Sequence, residues 1–262
     1  MSRYLLESST TDGYLLEDGS GVLLIDLATG YVSTVLSDSP VAYWRLGDSS
    51  GPTITATVGN NLTAFGSPTF GATGLLTGDA DTAIAFVAAS SQYAQGSDTG
   101  LPTGNGAWSV EAWIKTTSSA ECGLVLWGTG GSSRDACLTI YLGTVCFDTS
   151  TFFNNFGGTS INNNVPHHVA LTWNGTTMLA YVDGSQAGSG YAPGALNLTL
   201  GGANAAEIGS RNATYFDGTL DEPAIYAACL TPTQIAAHYT AGSTASTGLD
   251  AFAAFIGGGY YP

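Results

Sequence analysis

The alternation of apolar and polar positions is clearest between His167 and Val182. In His168-Val169-Ala170-Leu171-Thr172-Trp173, the residues Val169, Leu171 and Trp173 fall on one face and smaller or polar residues on the other, as a half-buried strand requires. Asn174-Gly175 follows at once, and Met178, Ala180 and Val182 resume the same alternation. An Asn-Gly pair accommodates φ > 0 at both turn positions, so the spacing predicts a tight hairpin, with Asp183-Gly184 as the next reversal. Later the period changes to that of a helix. Thr231 reads as its N-cap, Pro232 as its first residue and Gln234 as the capping-box partner. Leu230 and Ile235 are placed as a hydrophobic staple, and Gly242 lies where the helix is expected to stop. Elsewhere, strand-like runs are divided by Gly, Asn, Asp, Ser and Pro clusters. That spacing predicts an all-β, two-sheet sandwich with one short C-terminal helix.

Longer segments carry a family resemblance. The run Phe216-Asp217-Gly218-Thr219-Leu220-Asp221-Glu222-Pro223-Ala224-Ile225-Tyr226, followed by the Leu230-Thr231-Pro232 helix start, resembles the closing segment of the laminin-G-like branch of the concanavalin A-like jelly rolls. Ala42-Tyr43-Trp44-Arg45-Leu46-Gly47-Asp48 resembles the family's opening strand, and Trp108-Ser109-Val110-Glu111-Ala112-Trp113-Ile114-Lys115 its central one. The matches keep the family's order across residues 40–242. The resemblance implies an antiparallel two-sheet jelly-roll sandwich over 40–242, an N-terminal arm over 1–39 and a C-terminal tail over 243–262. It implies a scaffold, not a reaction, because function sits in sites grafted on folds.

Charge narrows the partners. Only 10% of the 262 residues are charged, and five cations face twenty acids for a net charge of −15. Nucleic-acid binding is driven largely by Lys and Arg neutralising phosphates, and anionic membrane surfaces also need basic residues, so neither partner is expected. The acidity reads either as solubility and repulsion between copies or as a cation-binding surface. No apolar run approaches the ~18 residues of a membrane span, so no membrane insertion is expected. Met1-Ser2-Arg3-Tyr4 is not followed by the long apolar core of a secretory signal. Cys137 and Cys146 flank a hairpin turning near Leu142-Gly143 and either pair or remain thiols; Cys122 and Cys229 have no evident partner. None shows the CxxC spacing of a zinc site.

The ends differ in texture. Tyr4-Leu5-Leu6-Glu7 recurs as Tyr14-Leu15-Leu16-Glu17, and Val22-Leu23-Leu24-Ile25-Asp26 is a third variation, with Asp-Gly turns between them. Such short apolar strands make no core alone. Tyr4, Leu5, Leu6, Tyr14, Leu15, Leu16, Leu23 and Leu24, with Phe252, Phe255, Tyr260 and Tyr261 of the tail, therefore need cover from the jelly roll or from another chain. This arm resembles those of structural proteins of tailed bacteriophages. The resemblance implies a virion component, a minor tail or capsid decoration protein, folded in the host cytoplasm and exposed on the particle. Its partners would be other virion proteins and copies of itself. A bacterial extracellular carbohydrate-binding module is the alternative.

Candidate chemistry is sparse. Glucanases on this fold carry alternating carboxylates on one strand, and no Glu-x-Asp-x-Glu-like run exists here. Asp221 and Glu222 are adjacent, so a regular strand points them to opposite faces. No nucleophile elbow, His-Glu-x-x-His or phosphate loop is present. No catalytic residue is therefore expected and the chain reads as a non-enzyme. The family resemblance implies a structural calcium, with Asp48 and Asp221 at the matching positions; the alternative is that Asp48 caps a turn and Asp221 accepts backbone N–H groups. Phe152, Phe153, Asn154, Asn155 and Phe156 form a loop with the texture of a host-glycan site, or else cap the sandwich edge or meet a neighbouring subunit.

Overall fold

Trp108 and Trp127 meet edge to face, 5.1 Å between ring centroids, across the gap between two antiparallel sheets. Around this contact runs a continuous core that includes Ile84, Val110, Leu138, Phe147, Leu171 and Phe216. The structure, a computed structural model, describes residues 30–130, 134–203 and 205–244, with the backbone of two paired strands, β1 (Leu16–Glu17) and β2 (Val22–Leu23). Sheet one holds β4 (Thr53–Ile54), β5 (Leu62–Phe65), β8 (Tyr93–Gly96), β10 (Cys122–Gly128), β11 (Asp135–Tyr141), β12 (Thr144–Asp148), β13 (Phe153–Asn155) and β17 (Ala206–Ile208). In space these run β13-β12-β11-β10-β17-β8-β5-β4. Sheet two holds β3 (Ala42–Tyr43), β6 (Thr69–Thr73), β7 (Thr82–Phe86), β9 (Trp108–Lys115), β14 (His167–Trp173), β15 (Met178–Val182), β16 (Ser185–Tyr191) and β20 (Gly218–Tyr226). Its order is β16-β15-β14-β9-β20-β7-β6, with β3 also on β20. A small hairpin of β18 (Ser210–Arg211) and β19 (Thr214–Tyr215) lies outside both sheets. The all-β sandwich expected from the sequence is the one observed.

Local signals translate directly in places. Leu142-Gly143 and Asp183-Gly184 each place φ > 0 at two successive residues, the backbone of a tight hairpin turn. The Asn174 turn differs. Only Gly175 has positive φ, and the Asn174 Oδ1 accepts the N–H groups of Thr176 and Thr177, so a four-residue Asx loop replaces the expected two-residue turn. The helix α2 (Pro232–Ser243) begins with the complete Thr231/Gln234 capping box. It runs past Gly242, which is buried for another reason: a Cβ there would lie 2.5 Å from the Trp113 ring.

A second helix, α1 (Gly30–Ser37), was not expected, since Gly30-Tyr31-Val32-Ser33-Thr34-Val35 favours helix poorly. Residues 30–37 therefore do not belong with an arm in structural terms. Tyr31, Val32 and Val35 are buried in a second apolar cluster with Tyr43, Trp113, Tyr181, Tyr226 and Ile235, which covers the outer face of sheet two. The polar centre of this cluster is Glu111. Its carboxylate takes His168 Nε2 at 3.0 Å, His238 Nδ1 at 2.9 Å and the Tyr226 hydroxyl at 2.6 Å, while His238 Nε2 reaches Asp38 at 2.9 Å. Burial alone would raise the Glu111 carboxyl, but the charge of His238 and hydrogen bonds from both histidines outweigh it and hold it well below the usual carboxylate range. Burial opposes a charged His238, and Glu111 and Asp38 override it to raise its pKa. The two helices are thus bolted to the sheet by charge as well as by apolar area.

The other arm residues, Tyr4, Leu5, Leu6, Tyr14, Leu15 and Leu24, and the tail residues Phe252, Phe255, Tyr260 and Tyr261, lie outside the described residues, while Leu16 and Leu23 are backbone partners in the register of the β1–β2 pair. Burying a residue such as Tyr31 or Val35 contributes roughly 1.5–3 kcal/mol. Deleting residues 1–39, which strips α1, is accordingly expected to lower the melting temperature of the sandwich by about 10 °C or more relative to deleting residues 1–29, at 2–4 °C per kcal/mol. Equal melting of the two truncations by circular dichroism would show that α1 contributes nothing.

Candidate functional site

With sheet two sealed by its helices, the outer face of sheet one is the sheet surface left to meet a ligand. Strand neighbours in register point to the same side. The pairs Thr53–Thr63, Thr63–Gln95, Gln95–Glu207, Glu207–Leu126, Leu126–Cys137, Cys137–Asp148 and Asp148–Phe153 therefore form one lateral row across all eight strands. The residues between them, such as Ile54, Leu62, Ala94, Ile208, Trp127, Leu138 and Phe147, point into the core.

The centre of the row is roofed by the β18–β19 hairpin. Asn212 and Ala213 turn it with positive φ, and Gly123 beneath lets it lie flat, since a Cβ there would sit 2.5 Å from the Ser210 carbonyl. Arg211 reaches from the hairpin to the row. Its Nη1 donates to Asp135 Oδ2 at 2.7 Å and its Nε to Asp148, with the guanidinium almost fully buried. Asp135 also accepts the Ser150 N–H at 3.1 Å. Burial pushes the Asp148 carboxyl up, against the charge and hydrogen bond of Arg211.

Beside this roof opens a cavity of about 510 Å³, lined by Leu126, Gly128, Thr129, Gly130, Asp135, Gly201, Ala203, Ala205, Glu207 and Asn212. Its size lies in the usual range for small-molecule sites. Burial raises the Glu207 carboxyl, against a hydrogen bond from Ser210 and the charge of Arg211. Aromatic rings stand toward both ends of the row. Phe65 stacks on Tyr93 at 5.1 Å and Tyr93 meets Tyr215 at 5.9 Å, while Tyr141 and Phe153 stand edge to face at 6.0 Å near the β13 edge.

The expected glycan loop is divided by the fold. Phe153 is 44% exposed on the outermost strand. Phe156 is a core residue, and Phe152 packs against that core. Asn154 pairs with Phe147 in the ladder, and the Asn155 side chain is occupied by the Thr144 hydroxyl, the Tyr141 carbonyl and the Gly157 N–H. Of the loop residues singled out in the sequence, Phe153 is the exposed ring; Phe65, Tyr93, Glu207 and Asn212 were not singled out there. Alternation in Leu62-Thr63-Ala64-Phe65 was the available signal for an outward Phe65.

Calcium fares differently. Both oxygens of Asp48 are taken by Thr55, its N–H at 2.9 Å and its hydroxyl at 2.8 Å, so this residue caps a turn. Asp221 accepts the Leu75 N–H on Oδ2, and its buried Oδ1 has no partner among the described residues. Asp221 and Glu222 do not follow the regular-strand alternation expected of them. A bulge in β20, with Glu222 at φ 53°, breaks the alternation, and both carboxyls feel each other and Arg45. Arg45 contacts Asp79 at 2.6 Å, Asp81 at 3.2 Å and Glu222 at 3.0 Å, and Glu222 also accepts from Tyr43. A guanidinium thus already occupies this acidic nest, and among the described residues no three His, Cys, Asp or Glu side chains are arranged to hold a metal. Asp48 and Asp221 as placed do not fit a calcium ion. The cysteines are free thiols; Cys137 and Cys146 sit diagonally on β11 and β12, opposite Asp148 and Thr139, and burial pushes both thiols up to about 12. His167 and His168 point to opposite sides, to Asp183 and to Glu111, as adjacent strand residues must.

These features carry the family assignment. The family model for the concanavalin A-like lectin/glucanases superfamily matches residues 88–236, more than half of the chain, and the protein belongs to that family. Among solved structures it is similar to domain 4 of AbnA, a GH43 extracellular arabinanase from Geobacillus stearothermophilus, in complex with arabinotriose. There the TM-score is 0.55 at 18% identity, over 76% of this chain and 98% of that domain. It is also similar to the binding domain of Paraclostridial Mosquitocidal Protein 1 (TM-score 0.54, 17% identity, 78% of this chain) and to the receptor-binding domain of botulinum neurotoxin mosaic serotype C/D (0.54, 13%, 78%). The chain spans about half of each toxin fragment, 52% and 51%. Comparison with curated proteins gives no match.

Burial raises Asp221 to about 8, helped by Asp81 and Asp79 and opposed by the Leu75 N–H and Arg45. The unfolded chain releases that proton near pH ~3.9. The folded state therefore binds the extra proton between those values, and its stability falls as pH climbs through the interval. Asp221→Asn keeps the acceptor for Leu75 and removes this penalty. The variant is expected to melt above wild type at pH 8–9, by on the order of 1–3 kcal/mol, with the gap shrinking toward pH 5. A gap constant across pH would contradict the raised pKa.

Proposed function

We propose that the protein is a non-enzymatic glycan-binding module, displayed on a bacteriophage particle as a minor tail or capsid decoration protein. The observation that carries the binding reading is the cavity lined by Glu207 and Asn212 on the outer side of sheet one, a face that also carries the Phe65–Tyr93–Tyr215 and Tyr141–Phe153 ring contacts. Ligand sites combine a concave, partly apolar surface with a few converging polar groups, and rings supply broad flat contact at low entropic cost. Domain 4 of the arabinanase, solved with arabinotriose, is an instance of the same fold beside a sugar. Hydrolysis is not favoured. Glycoside hydrolysis uses two carboxyl groups about 5 or 6.5–9.5 Å apart, free to move protons. Of the two carboxyls lining the cavity, Asp135 is locked to Arg211, so among the described residues Glu207 has no free carboxyl partner there.

The phage setting is supported by the Tyr-Leu-Leu-Glu repeats of the first residues and their resemblance to virion arms. An extracellular carbohydrate-binding module is the second reading, favoured by the arabinanase domain, nearly all of which this fold spans. Mass spectrometry of purified particles distinguishes them: a fixed copy number supports the virion role, and recovery from culture medium alone opposes it.

Affinity chromatography on immobilised oligosaccharides tests the binding face. Glu207→Ala and Asn212→Ala are expected to weaken retention about tenfold, ~1.4 kcal/mol. Phe65→Ala weakens it less, and Asn155→Ala, whose side chain is spent on local hydrogen bonds, leaves it unchanged. Undiminished retention in the Glu207 and Asn212 variants removes the cavity from the reading.

A further inference from the structure

We propose that the cavity on sheet one selects uncharged, hydroxyl-rich sugars and turns away acidic ones. The proposal rests on the glycan reading above and narrows its ligand. The cavity offers acceptors rather than cations. Its walls are largely backbone and small side chains, Gly128, Gly201 and Ala205 among them, and its polar groups include Glu207, Asn212 and Thr129. Asp135 already accepts from Ser150 and Arg211, whereas Glu207 accepts from Ser210 and keeps further lone pairs for a ligand. A carboxyl oxygen accepts hydroxyl protons and repels another carboxylate or a sulfate.

The positive charge that an acidic sugar needs is already committed. Arg211 is buried and matched by Asp135 and Asp148 together. Arg134 is exposed just before β11, and the negative charge of Glu121 is felt by Asp148. The other described cations serve the opposite sheet: Arg45 with Asp79, Asp81 and Glu222, and Lys115 at the end of β9. A ligand anion thus meets Glu207, Asp135 and Asp148 across one guanidinium that two of them share, within a chain of net charge −15. Selection by repulsion needs no extra contact to the accepted ligand.

Titration calorimetry of the full chain with a panel of neutral oligosaccharides (arabinotriose among them) and acidic ones (sialyllactose, oligogalacturonate) tests this. Neutral probes are expected to bind, and acidic probes at least about tenfold more weakly at low salt. High salt should narrow the gap, because the Debye length shrinks. Glu207→Gln should narrow it too, and Ala205→Leu, which fills the cavity, should weaken every probe. Acidic probes that bind as tightly as neutral ones at low salt overturn the selectivity and leave the glycan reading standing. No heat from any member of the panel overturns both.

Discussion

A buried carboxylate organises the molecule. Glu111 sits at the middle of β9, the central strand of sheet two, with no exposure to water, and it is tolerable there because two histidines and a tyrosine hydroxyl converge on it. Removing one partner from such a group leaves an uncompensated buried charge, which is costly. The network therefore demands that β14, β20 and α2 all be in place together. Asp38, at the end of α1, extends the demand to the other helix through His238 and Gln234. One face of the sandwich is closed as a result.

That closure gives the open face its meaning. In a two-sheet sandwich both outer surfaces are available in principle, and only their cover decides which meets a ligand. Here sheet two spends its outer residues, Trp113, Tyr181 and Tyr226, on helix packing. Sheet one keeps Thr53, Thr63, Gln95, Glu207 and Phe153 in a row, and the Arg211 hairpin divides the row into a roofed centre and an open flank. The same ion pair that holds the roof removes the positive charge from the site. Architecture and electrostatics point to one class of ligand for this reason.

Two acidic groupings therefore have opposite characters. Around Arg45, a single guanidinium satisfies Asp79, Asp81 and Glu222, and Asp221 is driven toward its neutral form by burial. On the open face, Glu207 stays half-buried at a cavity wall and remains able to accept from a ligand. The first is structure that resembles a site; the second is a candidate site that hardly shows in composition.

The sequence by itself determined the elements whose shape depends on neighbours along the chain. The Leu142-Gly143 and Asp183-Gly184 turns, the Thr231/Gln234 cap, the alternation of β14 and β15 and hence the sandwich class were legible, because left-handed turn conformers, capping bonds and period-two burial are settled within a few residues. Of the candidate loop, the sequence left open whether its rings meet a glycan or cap the sandwich; the fold leaves Phe153 exposed and sends Phe156 into the core, since alternation does not say where an edge sends a ring. Tertiary structure alone decided the rest. A β-branched, serine-rich stretch becomes α1 only when Trp113 and Tyr43 receive its buried side. Glu222 turns beside Asp221 only because β20 bulges against β9. Arg211 finds Asp135 and Asp148 from 76 and 63 residues away. Such contacts have no local signature: each depends on the free energy of burying a charge with its partners, and only the assembled sheets bring those partners together.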